Sequence, residues 1–377
     1  MICHHPALTR RRFLAGCGLT LAACATGCGS RPAETPPDPA AGGHEARFYE
    51  KLADREVQCA LCPRECRILP GRRGFCKVRE NREGRLVSLV YGRPVALNVD
   101  PIEKKPFFHV RPGAAAFSLA TAGCNFTCQF CQNYDIAQAS PEEVKAADLP
   151  PAEVVRRARL AQAPLLAFTY SEPVVFYEYM ADCARAAREA GIGSVMVSNG
   201  FISPRALTDL LPLLTAVKID LKGFTESFYS DVCGGSLQPV LDTLKVLKEK
   251  KIWTEVVTLV IPGLNDSEAE LRKLSAWVAA ELGPDVPLHF SRFSPLYRMR
   301  NLPPTPYDTL KKARALAVKE GCRYVYIGNA AGLGGENTAC PACGQVVVER
   351  IGNRVLSNTL KNGSCPACSA AVAGLWS

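Results

Sequence analysis

Three cysteines lie close together in the middle of the chain with a CxxxCxxC spacing: Cys124, Cys128 and Cys131. A four-iron cluster normally takes four thiolates, so a local set of three leaves one iron free for an exchangeable ligand. S-adenosylmethionine can chelate that iron through its amino and carboxylate groups, and one electron from the cluster then breaks its sulfonium S–C5′ bond. The spacing therefore predicts a 4Fe-4S site that generates a radical. The alternatives are ordinary loop cysteines or part of a zinc site, although zinc cysteines usually come in CxxC pairs.

A group of four cysteines precedes this stretch: Cys59, Cys62, Cys66 and Cys76. Proline and glycine residues between them favour the turns of a metal-binding knuckle. Four thiolates close a site completely, and we expect a structural zinc ion there. An auxiliary iron–sulfur cluster and a pair of disulfides are the alternatives.

A second group of four, Cys340, Cys343, Cys365 and Cys368, forms two CPxC knuckles in the tail. Two such knuckles separated by a β-rich interval predict a zinc ribbon. A rubredoxin-like iron site uses the same four thiolates and is the alternative.

The formal net charge of +9 invites a nucleic-acid interpretation, but it counts every thiol as neutral. Metal-bound thiolates, together with loss of a basic leader, bring the expected charge close to zero. The tail interval carries few cations, Arg350, Arg354 and Lys361, and no interleaved aromatic residues. We therefore expect no nucleic-acid partner.

Residues 1–28 have the features of an export leader, since Arg10, Arg11 and Arg12 resemble a twin-arginine signal and precede a small, apolar run. Within it, the stretch ending in Cys24 resembles a lipobox. Residues 29–45 are rich in proline and predict a disordered tether. We expect export and a possible lipid anchor as the route to a membrane, with a cytoplasmic location as the alternative.

The region 46–112 is predicted to be a cysteine-rich module, 113–332 a barrel, and 333–377 the ribbon-like tail. Between residues 115 and 320, short apolar runs alternate with helical stretches. The predicted strands are Ala116–Ala120, Leu165–Thr169, Ser194–Ser198, Val217–Leu221, Thr254–Val260 and Leu288–Phe293. Six such units predict the α/β class, with a parallel sheet curled into a partial (β/α)6 TIM-like barrel. Its chemistry belongs at the carboxyl ends of the strands.

Polar residues recur at those strand ends, and each is a candidate for contact with the cofactor. The candidates are Glu172, Ser198, Asn199, Asp220, Lys222 and His289. Asp220 and Lys222 form a spaced opposite pair suited to the amino-acid end of S-adenosylmethionine. A helix cap is the alternative role for Glu172, and packing in the core is the alternative for His289.

These motifs together resemble radical SAM enzymes similar to pyruvate formate-lyase activating enzymes, and within them the AmmeMemoRadiSam system radical SAM enzymes. The resemblance spans about 57–368 and includes 100–106, the Cys124 loop, 169–173, 219–222, 261–266 and 326–329. It implies a 4Fe-4S cluster on Cys124, Cys128 and Cys131, bound S-adenosylmethionine and a partial barrel. It also implies an electron donor and an association with Memo-like or AMMECR-like proteins, but no particular substrate, small molecule or protein.

The sequence is also compatible with two other functions. One is a glycyl-radical activating enzyme, which acts on a protein partner. The other belongs to a different class, a tethered metal or electron-transfer protein, suggested by the clustered thiols and the tether.

Overall fold

The computed structural model describes residues 43–377. The predicted leader, residues 1–28, lies outside the described residues, as does nearly all of the predicted tether. The last two tether residues, His44 and Glu45, were assigned wrongly, because they form a strand paired with the segment Val87–Ser88. No helix among residues 43–377 combines the length and apolar character needed to cross a membrane.

The cysteine-rich module contains six short strands in two antiparallel sheets. They are β1 (His44–Glu45), β2 (Tyr49–Lys51), β3 (Val57–Cys59), β4 (Arg67–Ile68), β5 (Arg79–Arg82) and β6 (Arg85–Ser88). The first sheet has the order β1-β6-β5 and the second β2-β3-β4. β5 and β6 form an antiparallel hairpin.

An eight-stranded sheet forms the barrel. Its strands are β7 (Ala96–Pro101), β8 (Ala115–Ala120), β9 (Leu165–Phe168), β10 (Gly193–Ser198), β11 (Ala216–Asp220), β12 (Trp253–Val260), β13 (Leu288–Arg292) and β14 (Val325–Gly328). β7 is antiparallel to β8, and the others are parallel in chain order. The predicted α/β barrel class is confirmed.

The six predicted strand–helix units are present, and β14 adds a seventh parallel strand at the edge beside β13. This strand has only four residues, and no helix follows it before the tail. The alternation of strand and helix that marked the other six is therefore missing here.

Helices connect the parallel strands, as right-handed crossovers require. They are α1 (Tyr134–Ala137), α2 (Pro151–Leu160), α3 (Tyr177–Glu189), α4 (Pro204–Leu210), α5 (Glu226–Phe228), α6 (Gln238–Glu249), α7 (Glu268–Trp277) and α8 (Tyr307–Lys319). Pro151 and Pro204 occupy first helical positions, where no backbone N–H is needed. The 3₁₀ turn Pro173–Phe176 precedes α3, and the π-helical turns Tyr229–Cys233 and Val278–Leu282 follow α5 and α7. Apolar faces of these elements share one large core.

The tail forms a small antiparallel sheet of β15 (Thr338–Ala339), β16 (Val346–Ile351) and β17 (Arg354–Asn358). Arg350 on β16 joins it to the region before β8. Its Nε atom lies 3.4 Å from Oε1 of Glu103, and its Nη2 atom donates to the Phe108 carbonyl at 2.6 Å. Both charged side chains are fully buried, so the tail is fixed by a buried ion pair.

Candidate active site

Cys124, Cys128 and Cys131 line one cavity of about 470 Å³ at the carboxyl edge of the barrel. The loop that carries them follows β8 and is held by hydrogen bonds to neighbouring loops. Asn125 Nδ2 donates to the Phe201 carbonyl at 2.8 Å, and Thr127 N donates to the Cys233 carbonyl at 2.9 Å. The loop position agrees with the rule that parallel barrels carry their chemistry at the carboxyl ends of the strands.

The donor set fits an iron–sulfur cluster with an open coordination position. Three thiols face a single cavity, and the aromatic rings of Phe126 and Phe130 form part of its wall. Burial raises the pKa of the Cys131 thiol to about 11. In the absence of a metal this thiol therefore keeps its proton at neutral pH, and metal binding releases it.

Glu172 is fully enclosed and accepts three hydrogen bonds from residues at the ends of β9 and β10. Its Oε1 atom accepts from Ser198 Oγ at 2.7 Å and from Val174 N at 3.1 Å, while Oε2 accepts from Asn199 N at 2.8 Å. Glu172 therefore caps the turn Pro173–Phe176 and also lines the cavity, so both predicted roles are compatible. Burial raises its pKa from 4.5 to about 7, despite these donors.

Asp220 and Lys222 lie at the end of β11, and both line the cavity. Lys222 Nζ is 3.3 Å from Asp220 Oδ2, and Lys218 also bonds Asp220. Burial alone raises the pKa of Asp220, but the two lysines outweigh it and hold the pKa below its usual value. The carboxylate is therefore ionised at neutral pH between two cations.

Lys218 is a cavity residue that sequence reasoning missed. Side chains alternate along a strand, so residues 218, 220 and 222 share one face of β11 and its extension. That period of two was the available signal.

His289 lines the cavity, but its Nε2 atom is engaged with Glu255 Oε2 at 2.7 Å. Glu255 is fully buried and also accepts from the backbone N–H groups of Phe108 and His109. Burial lowers the pKa of His289 even against the neighbouring carboxylate, so the ring is neutral at pH 7. His289 is therefore a packed residue that also lines the cavity, and its contact with the cofactor stays a prediction.

A second polar cluster at the cavity was not predicted as a site. Lys105 Nζ donates to Asp100 Oδ2 at 2.7 Å and to the Tyr170 hydroxyl at 2.9 Å. Tyr170 itself donates to Asp100 at 2.5 Å and has a positive φ of 66°. This backbone conformation is uncommon for a bulky residue, and it places a hydroxyl in the cavity wall.

The four tail cysteines converge on one point, with all sulfur atoms within 4.8 Å of one another. The Sγ atoms of Cys340 and Cys368 are 3.6 Å apart, and those of Cys343 and Cys365 are 3.7 Å apart. Tetrahedral bonds of about 2.3 Å to one metal ion place thiolates about 3.8 Å apart. The tail is therefore a metal-binding cysteine site.

The first quartet is arranged differently. Cys59, Cys62, Cys66 and Cys76 surround a small separate cavity behind the Cys124 loop. No disulfide joins any two of these four cysteines in the structure.

The comparisons with known proteins agree with this arrangement. Residues 118–274 match the Radical SAM superfamily, and the fold and cavity define a radical SAM enzyme. The chain is 45% identical to Uncharacterized protein MJ0808 of Methanocaldococcus jannaschii, over 86% of this chain and 97% of that protein. The chain belongs to the family of that protein, within the radical SAM superfamily.

Two more distant similarities were found. Pyruvate formate-lyase 1-activating enzyme of Escherichia coli is 27% identical over 40% of this chain and 63% of that enzyme, which is less than two thirds of its length. The solved radical SAM methyltransferase of Sphaerobacter thermophilus is 16% identical, covers 62% of this chain and 71% of its own, and has a TM-score of 0.45.

Proposed function

We propose that this enzyme binds S-adenosylmethionine between the Cys124 loop and the ends of β9 to β11, and abstracts hydrogen from a substrate held in the same cavity. The observation that carries the proposal is the cavity itself. Three thiols, a carboxylate and an Asp–Lys pair all line this one cavity. Radical SAM chemistry requires the cluster ligands and the groups that bind the cofactor to lie next to each other.

Cys124, Cys128 and Cys131 would hold the 4Fe-4S cluster. When bound, the cluster and S-adenosylmethionine supply the electron and the S–C5′ bond cleavage that yield a 5′-deoxyadenosyl radical. The protein's own groups orient the cofactor. Lys222 presents a cation for its carboxylate, while Asp220 and Glu172 present carboxylates for its amino group.

The remaining groups shape the cavity and exclude water from it. Ser198 and Asn199 fix the Glu172 carboxylate through the bonds described above, which leaves little rotational freedom. Asn199 Nδ2 also donates to Asn125 Oδ1 at 2.8 Å, so the cofactor-binding strand end and the cysteine loop are tied directly together. Buried aromatic rings exclude water that would quench a radical.

The test is anaerobic reconstitution with iron and sulfide, followed by dithionite, S-adenosylmethionine and quantification of 5′-deoxyadenosine. We expect product from the wild-type chain and none above background from Cys128→Ala. Cys322→Ala is the matched control, because this buried thiol lies apart from the cavity. Product from Cys128→Ala, or none from a fully loaded wild-type chain, overturns the proposal. In the second case, failure to bind S-adenosylmethionine supports the rival function of electron transfer.

The substrate class depends on the subtype. We propose the AmmeMemoRadiSam type, acting beside Memo-like or AMMECR-like partners and a one-electron donor. The alternative is a glycyl-radical activating enzyme, supported by the similarity to the Escherichia coli activating enzyme. Co-incubation with a candidate protein decides between them, since only an activating enzyme produces a glycyl-radical doublet in the electron paramagnetic resonance (EPR) spectrum of that protein.

We further propose zinc in the tail site, no nucleic-acid partner, and export with lipid attachment at Cys24. The sulfur spacing supports zinc but fits rubredoxin-like iron equally, so metal analysis of the purified chain is the test.

Mass determination of the mature N-terminus in the producing cells tests the leader. An intact Met1 would favour the cytoplasmic alternative.

A further inference from the structure

The first cysteine quartet encloses space in its centre. Cys59, Cys62, Cys66 and Cys76 all line a cavity of about 20 Å³. The space between the thiols is therefore large enough to admit at least one water-sized ligand. The remaining wall is mainly apolar and includes Val174.

This geometry contrasts with that of the tail site. There, all four sulfur atoms lie within 4.8 Å of one another, whereas the described residues 43–377 include no such grouping of three or more ligands at Cys59, Cys62, Cys66 and Cys76. Thiolates that share one metal ion must converge closely. Thiolates on the four corners of an iron–sulfur cubane bind four different irons and stand further apart.

Arg79 provides an independent observation at the same cavity. Its side chain is 1% exposed and lines the cavity, and its Nη atoms bond Glu178 at 3.2 and 2.8 Å. Its Nε atom is buried and has no hydrogen-bond acceptor within residues 43–377. A buried N–H donor without an acceptor is costly, so this position calls for a ligand that accepts a hydrogen bond.

We propose that Cys59, Cys62, Cys66 and Cys76 bind a second 4Fe-4S cluster, distinct from the one at Cys124, in the cavity beside Arg79. A cubane fills the space between separated thiols, and its sulfur atoms accept the hydrogen bond that Arg79 Nε lacks. The negative charge of a four-thiolate cluster is matched by Arg64, which also lines the cavity. In this proposal an iron–sulfur cluster takes the place of the structural zinc ion that the sequence predicted at this quartet.

The second cluster lies directly behind the radical site. Arg64 Nε donates to the Asn125 carbonyl at 2.7 Å, next to Cys124 in the chain. A Cβ atom placed on Gly123 would lie 2.7 Å from the Cys76 carbonyl oxygen, so the two cysteine loops are in backbone contact. Only glycine is tolerated there, at a φ of 96°.

The test uses the full chain with the radical site removed by Cys124→Ala, Cys128→Ala and Cys131→Ala together. After anaerobic reconstitution we expect about four irons and four sulfides per chain, and an EPR signal after dithionite reduction. Adding Cys62→Ser to this triple variant should abolish both the iron and the signal. Adding Cys183→Ser, at a buried cysteine of α3, should leave both unchanged.

Several outcomes overturn the proposal. A triple variant that binds no iron but two zinc ions per chain places zinc in the quartet. Loss of free thiols without bound metal indicates disulfides. If the circular dichroism spectrum shows that the triple variant is unfolded, iron and spin counting of the wild-type chain decides. About eight irons in two clusters support the proposal, and about four in one cluster refute it. The iron and spin counts do not depend on whether the chain cleaves S-adenosylmethionine, so failure of the proposed function would not change them.

Discussion

Replacing Glu172 with glutamine separates the binding role of this carboxylate from its cost to the fold. Burial raises its pKa from 4.5 to about 7, so the folded chain disfavours the ionised form by about 3 kcal/mol. Because the folded pKa is raised, the wild-type chain loses stability as pH rises from 4.5 to about 7 and loses no more above that. Glutamine carries no charge and escapes this loss.

The amide also has a cost that does not vary with pH. All three neighbours of Glu172, which are Ser198 Oγ, Val174 N and Asn199 N, donate to it. In either orientation the glutamine NH₂ group faces a donor, which costs about 1–3 kcal/mol. We therefore expect the variant to be less stable than the wild type at pH 5 and equal or more stable at pH 8.

The assay is urea unfolding of the metal-free chain across this pH range, combined with S-adenosylmethionine binding to the reconstituted protein. The free energy of unfolding of the variant, relative to wild type, should rise by about 3 kcal/mol between pH 4.5 and 7.5. Affinity for S-adenosylmethionine should fall at least about tenfold, because a charged hydrogen bond is lost. Glu189→Gln, at the exposed end of α3, is the control. A stability difference that stays constant with pH refutes the buried-carboxylate argument.

Three other substitutions test separate parts of the structure. Arg350→Met should cost about 3–5 kcal/mol in urea unfolding, because Glu103 is left buried without its partner, whereas exposed Arg354→Met should cost less than about 1 kcal/mol. Cys343→Ser should lower the zinc content by about one ion per chain, measured by mass spectrometry of the metals. Asp220→Asn should weaken S-adenosylmethionine binding at least about tenfold in equilibrium dialysis, because the charged hydrogen bond proposed between this carboxylate and the cofactor's amino group is lost.

Each of these expectations has a contrary result. Equal effects of the two arginine substitutions would mean that the buried pair does not hold the tail. Unchanged zinc after Cys343→Ser would place the metal elsewhere. Wild-type affinity after Asp220→Asn would remove this carboxylate from the cofactor site.

Local patterns in the sequence were sufficient for the barrel and for the chemistry. Short apolar runs that alternate with helical stretches identified the strands β8 to β13 and the helices between them, and the spacing of Cys124, Cys128 and Cys131 indicated the cavity chemistry. These features depend on residues close together in the chain. β14 was not predicted, because four residues without a following helix give too weak a sequence pattern to identify a strand.

Contacts between distant residues were decided only by the tertiary structure. The Arg350–Glu103 pair joins residues far apart in the chain, and the bonds of Tyr170 to Asp100 and Lys105 do the same. The different arrangements of the two cysteine quartets also depend on the tertiary structure. Spacing showed that both could bind metal, but only packing decided whether the sulfur atoms converge or surround a cavity, because that depends on which buried side chains stand between them.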